Sequence, residues 1–188
     1  MEIQHLWKAY AEKQVLRDLS LVLPEGEITV LMGPSGSGKT TLLRILLGLE
    51  TADAGTIIGL DRRRLSAVFQ EDRLCENVSA VSNLRLVNPA LSRKAAEAAL
   101  SELGLQDALA QPVREFSGGM KRRVAILRAL LAESDLLLAD EPFKGLDEET
   151  KRQTMAFFAE RTRGKTVILV THEESEAAFF GGGILRLS

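Results

Sequence analysis

Residues Gly33 to Thr40 read GPSGSGKT, between the apolar run Ile28-Thr29-Val30-Leu31-Met32 and the run Thr41-Leu42-Leu43-Arg44-Ile45-Leu46-Leu47. A buried strand that turns tightly into a helix through such a loop is a phosphate cradle. Gly33, Gly36 and Gly38 let the backbone curl, so that the N–H groups along Gly33, Pro34, Ser35, Gly36, Ser37 and Gly38 (Pro34 excepted) converge on one anion. The positive end of the following helix adds to that field. Lys39 reaches the β- and γ-phosphates, the Thr40 hydroxyl is a ligand for Mg²⁺, and Thr41 completes the expected phosphate-contacting set. The predicted ligand is a nucleoside triphosphate.

A second constellation is Leu136-Leu137-Leu138-Ala139-Asp140-Glu141, an apolar strand that ends in two carboxylates. Ligands of open α/β sheets sit beyond the carboxyl ends of the strands, where this pair would emerge. Beside a phosphate loop, Asp140 is expected to hold Mg²⁺ and Glu141 to act as general base toward the attacking water. A third is Phe116-Ser117-Gly118-Gly119-Met120-Lys121. Ser117 is an N-cap type, and Gly118 and Gly119 permit a phosphate to approach free amides. One chain rarely needs two helix starts for one triphosphate, so the second is expected to serve a nucleotide held by another copy.

These groups need a scaffold, and the pattern of the 188 residues predicts one. Strands are expected at 16–23, 28–32, 55–58, 65–69, 135–140, 166–170 and 183–187. Helices are expected at 39–47, 92–104, 117–132, 147–163 and 173–180. In the helix over 117–132, Val124, Leu127, Leu130 and Leu131 line one face. Gly48 and Gly104 stop their helices and Ser92 starts one. The alternation predicts a mostly parallel α/β sheet interrupted by a helical insertion of about 45 residues. No repeat or long linker divides the chain.

With 24 basic and 26 acidic residues the formal charge is −2, and no global basic field favours nucleic acid. The triplet Arg62-Arg63-Arg64 reads as a solvated hairpin edge. The single cysteine, Cys75, excludes an internal disulfide framework, fits a reducing cytosol and reads as structural. The first residues, MEIQHLWKAYAEK, lack a long apolar core and a small-residue cleavage site, so no signal peptide is expected. No apolar run approaches the ~20 residues that cross a bilayer. The chain is expected to be soluble, with any membrane role coming through a partner.

The set GPSGSGKT, Gln70 after Ala67-Val68-Phe69, FSGGM (Phe116 to Met120), LLLADEP (Leu136 to Pro142), Gly145-Leu146-Asp147 and Thr171-His172 resembles the ATP-binding cassette (ABC) ATPases in order and spacing over nearly the whole chain. The phosphate loop is shared by many ATPases and GTPases, whereas Ser-Gly-Gly upstream of an Asp-Glu strand is specific to this family. The resemblance implies an α/β P-loop NTPase fold of the RecA-like kind, with an antiparallel β subdomain and an inserted helical subdomain. One domain would cover 1–188, with 1–70 and 135–188 as catalytic core and 71–134 as helical subdomain. It implies a head-to-tail dimer, expected as a homodimer, with each ATP between the phosphate loop of one subunit and Ser117, Gly118 and Gly119 of the other. Tyr10 would stack on adenine. Gln70 would reach Mg²⁺ and the attacking water and sense a membrane partner. Asp147 would cross toward the opposite site, and His172 would contact the γ-phosphate and orient Glu141.

Some positions depart from the family pattern. Phe116 replaces leucine, Met120 replaces glutamine, Lys144 stands where a small residue is customary, and Glu173 replaces aspartate. The segments at 57–64 and after Phe180 are shorter than typical, and with the sequence stopping just after its last strand the C-terminal regulatory domain of the sugar importers is not expected. The implied function is the ATPase subunit of an ABC transporter, on the inner face of the membrane through separate permease subunits. Import is expected, as in the nitrate, sulfonate and taurine systems, with a solute-binding protein outside the membrane as a further partner. One competing reading is a soluble cassette ATPase working on ribosomes or DNA. Those usually carry two cassettes or a coiled-coil insertion, and this chain has neither. A GTPase would need an Asn-Lys-x-Asp segment, absent here, and a small-molecule kinase would have no use for Ser-Gly-Gly.

Overall fold

Eight strands and six α-helices follow one another along the described residues, 1–61 and 63–187, of a computed structural model. They run β1 (Glu2–Tyr10), β2 (Lys13–Val22), β3 (Ile28–Met32), α1 (Lys39–Leu46), β4 (Ala54–Ile58), β5 (Leu65–Val68), α2 (Ala80–Val87) and α3 (Arg93–Glu102). Then come α4 (Gly118–Leu131), β6 (Leu136–Asp140), α5 (Glu148–Arg161), β7 (Thr166–Val170), α6 (Glu174–Phe180) and β8 (Gly183–Arg186). The chain gathers into two compact units. The first is Met1–Leu65, Asp135–Asp140 and Gly164–Ser188, and the second is Ser66–Ser134 and Glu141–Arg163.

Two sheets build the first unit. An antiparallel sheet has the order β2-β1-β4. Strand β1 has no counterpart in the sequence-based expectation, and β2 begins three residues before it. The reason is bulging. His5 and Asp18 both take φ of 51°, and the register slips between Ile3 and Leu6. The bulge leaves the buried pair Ile3 and Leu6 three apart rather than two, which erases the period-two signal. Gly55 accepts that distortion, because a Cβ there would meet the His5 carbonyl oxygen at 2.4 Å.

The parallel sheet runs β6-β7-β3-β8 through the first unit, with Leu137 opposite Val167, Val30 opposite Leu169 and Val30 opposite Ile184. Strands β6 and β7 are buried at every position and β3 at all but its first residue. Continuous apolar runs of this kind mark parallel strands covered on both faces. Their carboxyl ends deliver Met32, Asp140 and Val170, the last residues before the loops that carry the predicted chemistry.

The second unit is helical. Ser92 caps α3 by accepting from the Ala95 amide at 3.1 Å, and Gly104 follows that helix with φ of 69°. Helix α4 does not present a single apolar face. Arg122, Val124, Ala125, Ile126, Leu127, Ala129 and Leu130 are buried around most of its circumference, since α2, α3 and α5 all pack on it. Helix α2 falls within the expected helical insertion, where the sequence pattern sets no bounds for it. Its Asn83 is fully buried and holds the segment before it, accepting from the Cys75 amide at 2.8 Å and donating to the Cys75 and Ser79 carbonyls. The Cys75 thiol itself is exposed. Of the basic triplet, Arg63 pairs with Glu25 and Arg64 with Asp135, and Arg62 lies outside the described residues.

Candidate nucleotide-binding and hydrolysis site

The phosphate loop leaves β3 and closes onto α1 inside the first unit. Gly33 has φ of 153°, and a Cβ on it would sit 2.4 Å from the Leu187 carbonyl oxygen. Gly38 has φ of 93°, and a Cβ there would strike Leu16 Cδ2 at 2.5 Å. Neither position admits a side chain. Gly38 is also the N-cap of α1, where no side chain caps the first-turn amides. An anion is the natural partner of such a helix start. Pro34, Ser35 and Gly36 are exposed and Ser37 is half-buried, so the loop faces outward.

Lys39 is the loop's cation and is only 8% exposed. Its Nζ donates to the carbonyls of Gly33 at 2.8 Å and Pro34 at 2.7 Å, and to Ser37 Oγ at 3.4 Å. Thr40 Oγ1 donates to Asp140 Oδ2 at 2.8 Å, with the carboxylate buried at the end of β6. A hydroxyl and one carboxylate are hard oxygen donors, and they fit Mg²⁺, which completes its octahedron with waters and substrate phosphates. Among the described residues no cluster of three or more His, Cys, Asp or Glu could hold a metal. Two protein oxygens leave most of an octahedron open, so the pair Thr40 and Asp140 suits an ion that arrives with a phosphate. Thr41 follows, half-buried, on α1.

A cleft of about 590 Å³ opens beside the loop, between Gln14, Val15, Leu16, Arg17 and Leu19 of β2, the loop residues Pro34, Ser35, Gly36 and Ser37, and Arg186 and Leu187. Tyr10 ends β1 with 43% of its surface exposed, and Lys8 Nζ lies 5.4 Å from its ring centroid. His172 is exposed between β7 and α6. The turn that carries it is fixed by the buried Thr171, whose Oγ1 donates to Glu176 at 2.6 Å and accepts from the Glu173 amide at 3.1 Å.

The second unit holds the remaining predicted residues. Ser117 is the N-cap of α4, and its Oγ accepts from the Met120 amide at 3.2 Å. Ser117 and Gly118 are exposed, and no atom lies within 4 Å of where a Gly118 Cβ would stand. At Gly119 the nearest such atom is Leu146 Cδ2, at 3.6 Å. Asp147 is the exposed N-cap of α5. The Thr150 amide donates to its Oδ1 at 3.0 Å and holds its carboxyl below the usual carboxylate range. Gln70 is exposed just after β5.

Glu141 takes φ of 47°, a left-handed conformation uncommon for a residue with a side chain. Its side chain is 12% exposed, and its Oε2 accepts from Lys144 Nζ at 2.7 Å. Its carbonyl accepts from the buried guanidinium of Arg122. Arg122 is a residue that the sequence patterns did not single out. The signal that could have found it is a charged side chain at helical spacing from the apolar Ala125, Ile126 and Ala129, which are buried on the same face.

The loop, its lysine and the carboxylate at the end of a parallel strand define a P-loop nucleoside triphosphatase. Residues 16–144 match the ABC transporter family. The chain is 40% identical over 184 residues to the aliphatic sulfonates import ATP-binding protein SsuB of Delftia acidovorans, covering 96% of this chain and 76% of that one. It is 39% identical to the taurine import ATP-binding protein TauB of Pseudomonas aeruginosa (strain UCBPP-PA14), covering 89% of this chain and 69% of that one. Among solved structures, the ATP-binding cassette MJ0796, a dimer in a post-hydrolysis state bound to ADP and Pi, superposes with a TM-score of 0.85 at 31% identity. That match covers 100% of this chain and 94% of the other. The chain belongs to the ABC transporter family. It is an ATPase, the ATP-binding subunit of such a transporter, with the mixed α/β P-loop fold expected of it.

Proposed function

We propose that this ATPase binds Mg·ATP between its own phosphate loop and the Ser117, Gly118 and Gly119 helix start of a second copy. Hydrolysis in that composite pocket would drive import of a small anionic solute through a separate permease. Gly33, Pro34, Ser35, Gly36, Ser37, Gly38 and Thr41 surround the phosphates, and Lys39 pairs with the β- and γ-oxygens. Thr40, Asp140 and Gln70 hold Mg²⁺, which when bound neutralises charge on the phosphate oxygens. Tyr10 stacks on adenine. Glu141 accepts the proton of the attacking water, and His172 contacts the γ-phosphate. Asp147 reaches the neighbouring site.

The observation that carries this reading is the contrast in exposure between the two helix starts. The lysine of α1 is curled inside its loop, whereas Ser117 and Gly118 face solvent with nothing in front of Gly118. ATP favours the closed dimer because only there do the Gly118 and Gly119 amides meet a γ-phosphate, and hydrolysis removes that bridge. The names of the relatives support sulfonates as the solute class and a permease as partner. Among the described residues no helix is long and apolar enough to cross a membrane, so attachment to the inner face would run through that permease. A solute-binding protein would deliver the cargo from outside.

The test is Glu141→Gln. ATP binding is retained and hydrolysis slows by ~10²-fold or more, as for loss of a general base. Size-exclusion chromatography in Mg·ATP then gives a dimer. A protein that stays monomeric at high concentration with turnover blocked would overturn the composite pocket. Co-purification of ribosomes or DNA in place of integral membrane subunits would overturn the transport role.

A further inference from the structure

Arg122 lies on α4, five residues past Ser117, with only 5% of its side chain exposed. Its guanidinium reaches two loops at once. Nε donates to the Pro142 carbonyl at 2.8 Å, and the terminal NH2 nitrogen donates to the Glu141 carbonyl. The other terminal nitrogen donates to the Phe69 carbonyl at 2.6 Å, the Gln70 carbonyl at 3.2 Å and Asp72 Oδ1 at 3.1 Å. Four of these five acceptors are main-chain oxygens, so the contacts fix the course of the backbone. Only a planar guanidinium offers donors in a rigid fork that serves both sides, and an ammonium on the same stem does not.

One of the peptides so held is unusual. The left-handed φ of 47° at Glu141 is a conformation that persists only where the surroundings over-determine it. Arg122 bonds the carbonyls of Glu141 and of the next residue, Pro142, and thereby fixes the direction in which the Glu141 side chain leaves the backbone. The same cation holds the carbonyl of Gln70. All these groups lie within one compact unit, and Arg122 itself is on the helix whose N-cap is Ser117.

We propose that Arg122 is a positioning residue for hydrolysis. Its fork locks the left-handed peptide of Glu141 and ties it, with the Gln70 loop, to α4. A shift of α4 when its amino end engages a neighbour's phosphate then moves the base and Gln70 together. The inference rests on Glu141 being the base, and the experiment separates the two.

Full-length Arg122→Lys keeps the charge and loses the fork. Its kcat falls ~10-fold or more, within the ~10²-fold that a 1 Å misplacement produces. Its affinity for a fluorescent ATP analogue stays within about two-fold of the parent, since the backbone that the Arg122 fork holds is that of residues 69–70 and 141–142, apart from the phosphate loop at 33–40. Amide hydrogen exchange quickens at residues 69–72 and 141–146 and is unchanged at 93–102. In a Glu141→Gln background, Arg122→Lys costs less than it does in the parent, because the part that acts through Glu141 has nothing left to position. Arg122→Gln, smaller and neutral, gives the same pattern and replaces the lysine variant if that one does not fold. Parental kcat in the single variants, unchanged exchange in both loops, or a full additional loss in the Glu141→Gln background would overturn the proposal. Parental activity of Glu141→Gln by itself would instead remove the base on which it rests.

Discussion

Helices α1 and α4 both begin with glycine-flanked amides, yet they are finished to different degrees. At α1 the N-cap is Gly38, left-handed at φ of 93°, no side chain caps the helix, and Lys39 lies folded over the loop carbonyls. The cradle and its cation come from one stretch of chain. At α4 the N-cap Ser117 turns its own hydroxyl onto the Met120 amide. The cations that follow are engaged elsewhere. Lys121 pairs with Glu76 at 2.7 Å, Arg122 holds the two loops, and Arg123 donates to the Leu103 and Gly119 carbonyls. A helix start without a cation attracts an anion by only about 0.3–1 kcal/mol. On the proposed function the first site would hold a triphosphate by itself, and the second would respond only to one that is brought to it.

That difference can be broken from either side. Lys39→Ala removes the cation that the loop itself supplies and is expected to abolish ATP binding or hydrolysis, read by titration with a fluorescent nucleotide and by phosphate release. Full activity would mean that the cradle is elsewhere. Ser117→Arg fills the open start of α4 with a bulky cation. It is expected to leave nucleotide binding by the monomer at parental affinity while blocking turnover. A variant that turns over normally would mean that α4 does not meet a phosphate, and the two helix starts would no longer differ in role.

The same contrast governs what the sequence discloses. The phosphate loop is legible because its chemistry is local: eight consecutive residues supply the turn, the amides, the lysine and the hydroxyl. Strands β3, β6 and β7 are legible because apolar residues run through them without interruption, and β7 falls on its expected bounds, 166–170. Strand β1 is hidden by a bulge at His5 that spaces its buried Ile3 and Leu6 as a helix would. The bounds of helix α2 are hidden because Asn83, a turn-forming type, is buried within it to bind the chain around Cys75. Arg122 is hidden for a related reason. Its partners are carbonyls near residues 70 and 142, and a carbonyl looks the same whatever side chain it carries. In Lys121-Arg122-Arg123, composition suggests a solvated face, whereas the fold buries the middle residue.

The smallest expected effect concerns Lys144, the position where the family has a small residue. Its ammonium sits 2.7 Å from Glu141 Oε2, but its side chain is 64% exposed while that of Glu141 is 12% exposed. A pair with one end in solvent contributes about 1 kcal/mol or less. The main chain of Glu141 is held independently by the Arg122 fork. Lys144→Ser should therefore leave the thermal midpoint nearly unchanged and alter kcat by less than ~5-fold, the factor that 1 kcal/mol represents. Steady-state hydrolysis beside a melting curve measures both. If Lys144→Ser slows turnover as much as Glu141→Gln does, the carboxylate is aimed by an exposed lysine in place of a buried backbone. The second unit would then be organised from its surface, and its resemblance to the self-contained loop of the first would be closer than the hydrogen bonds imply.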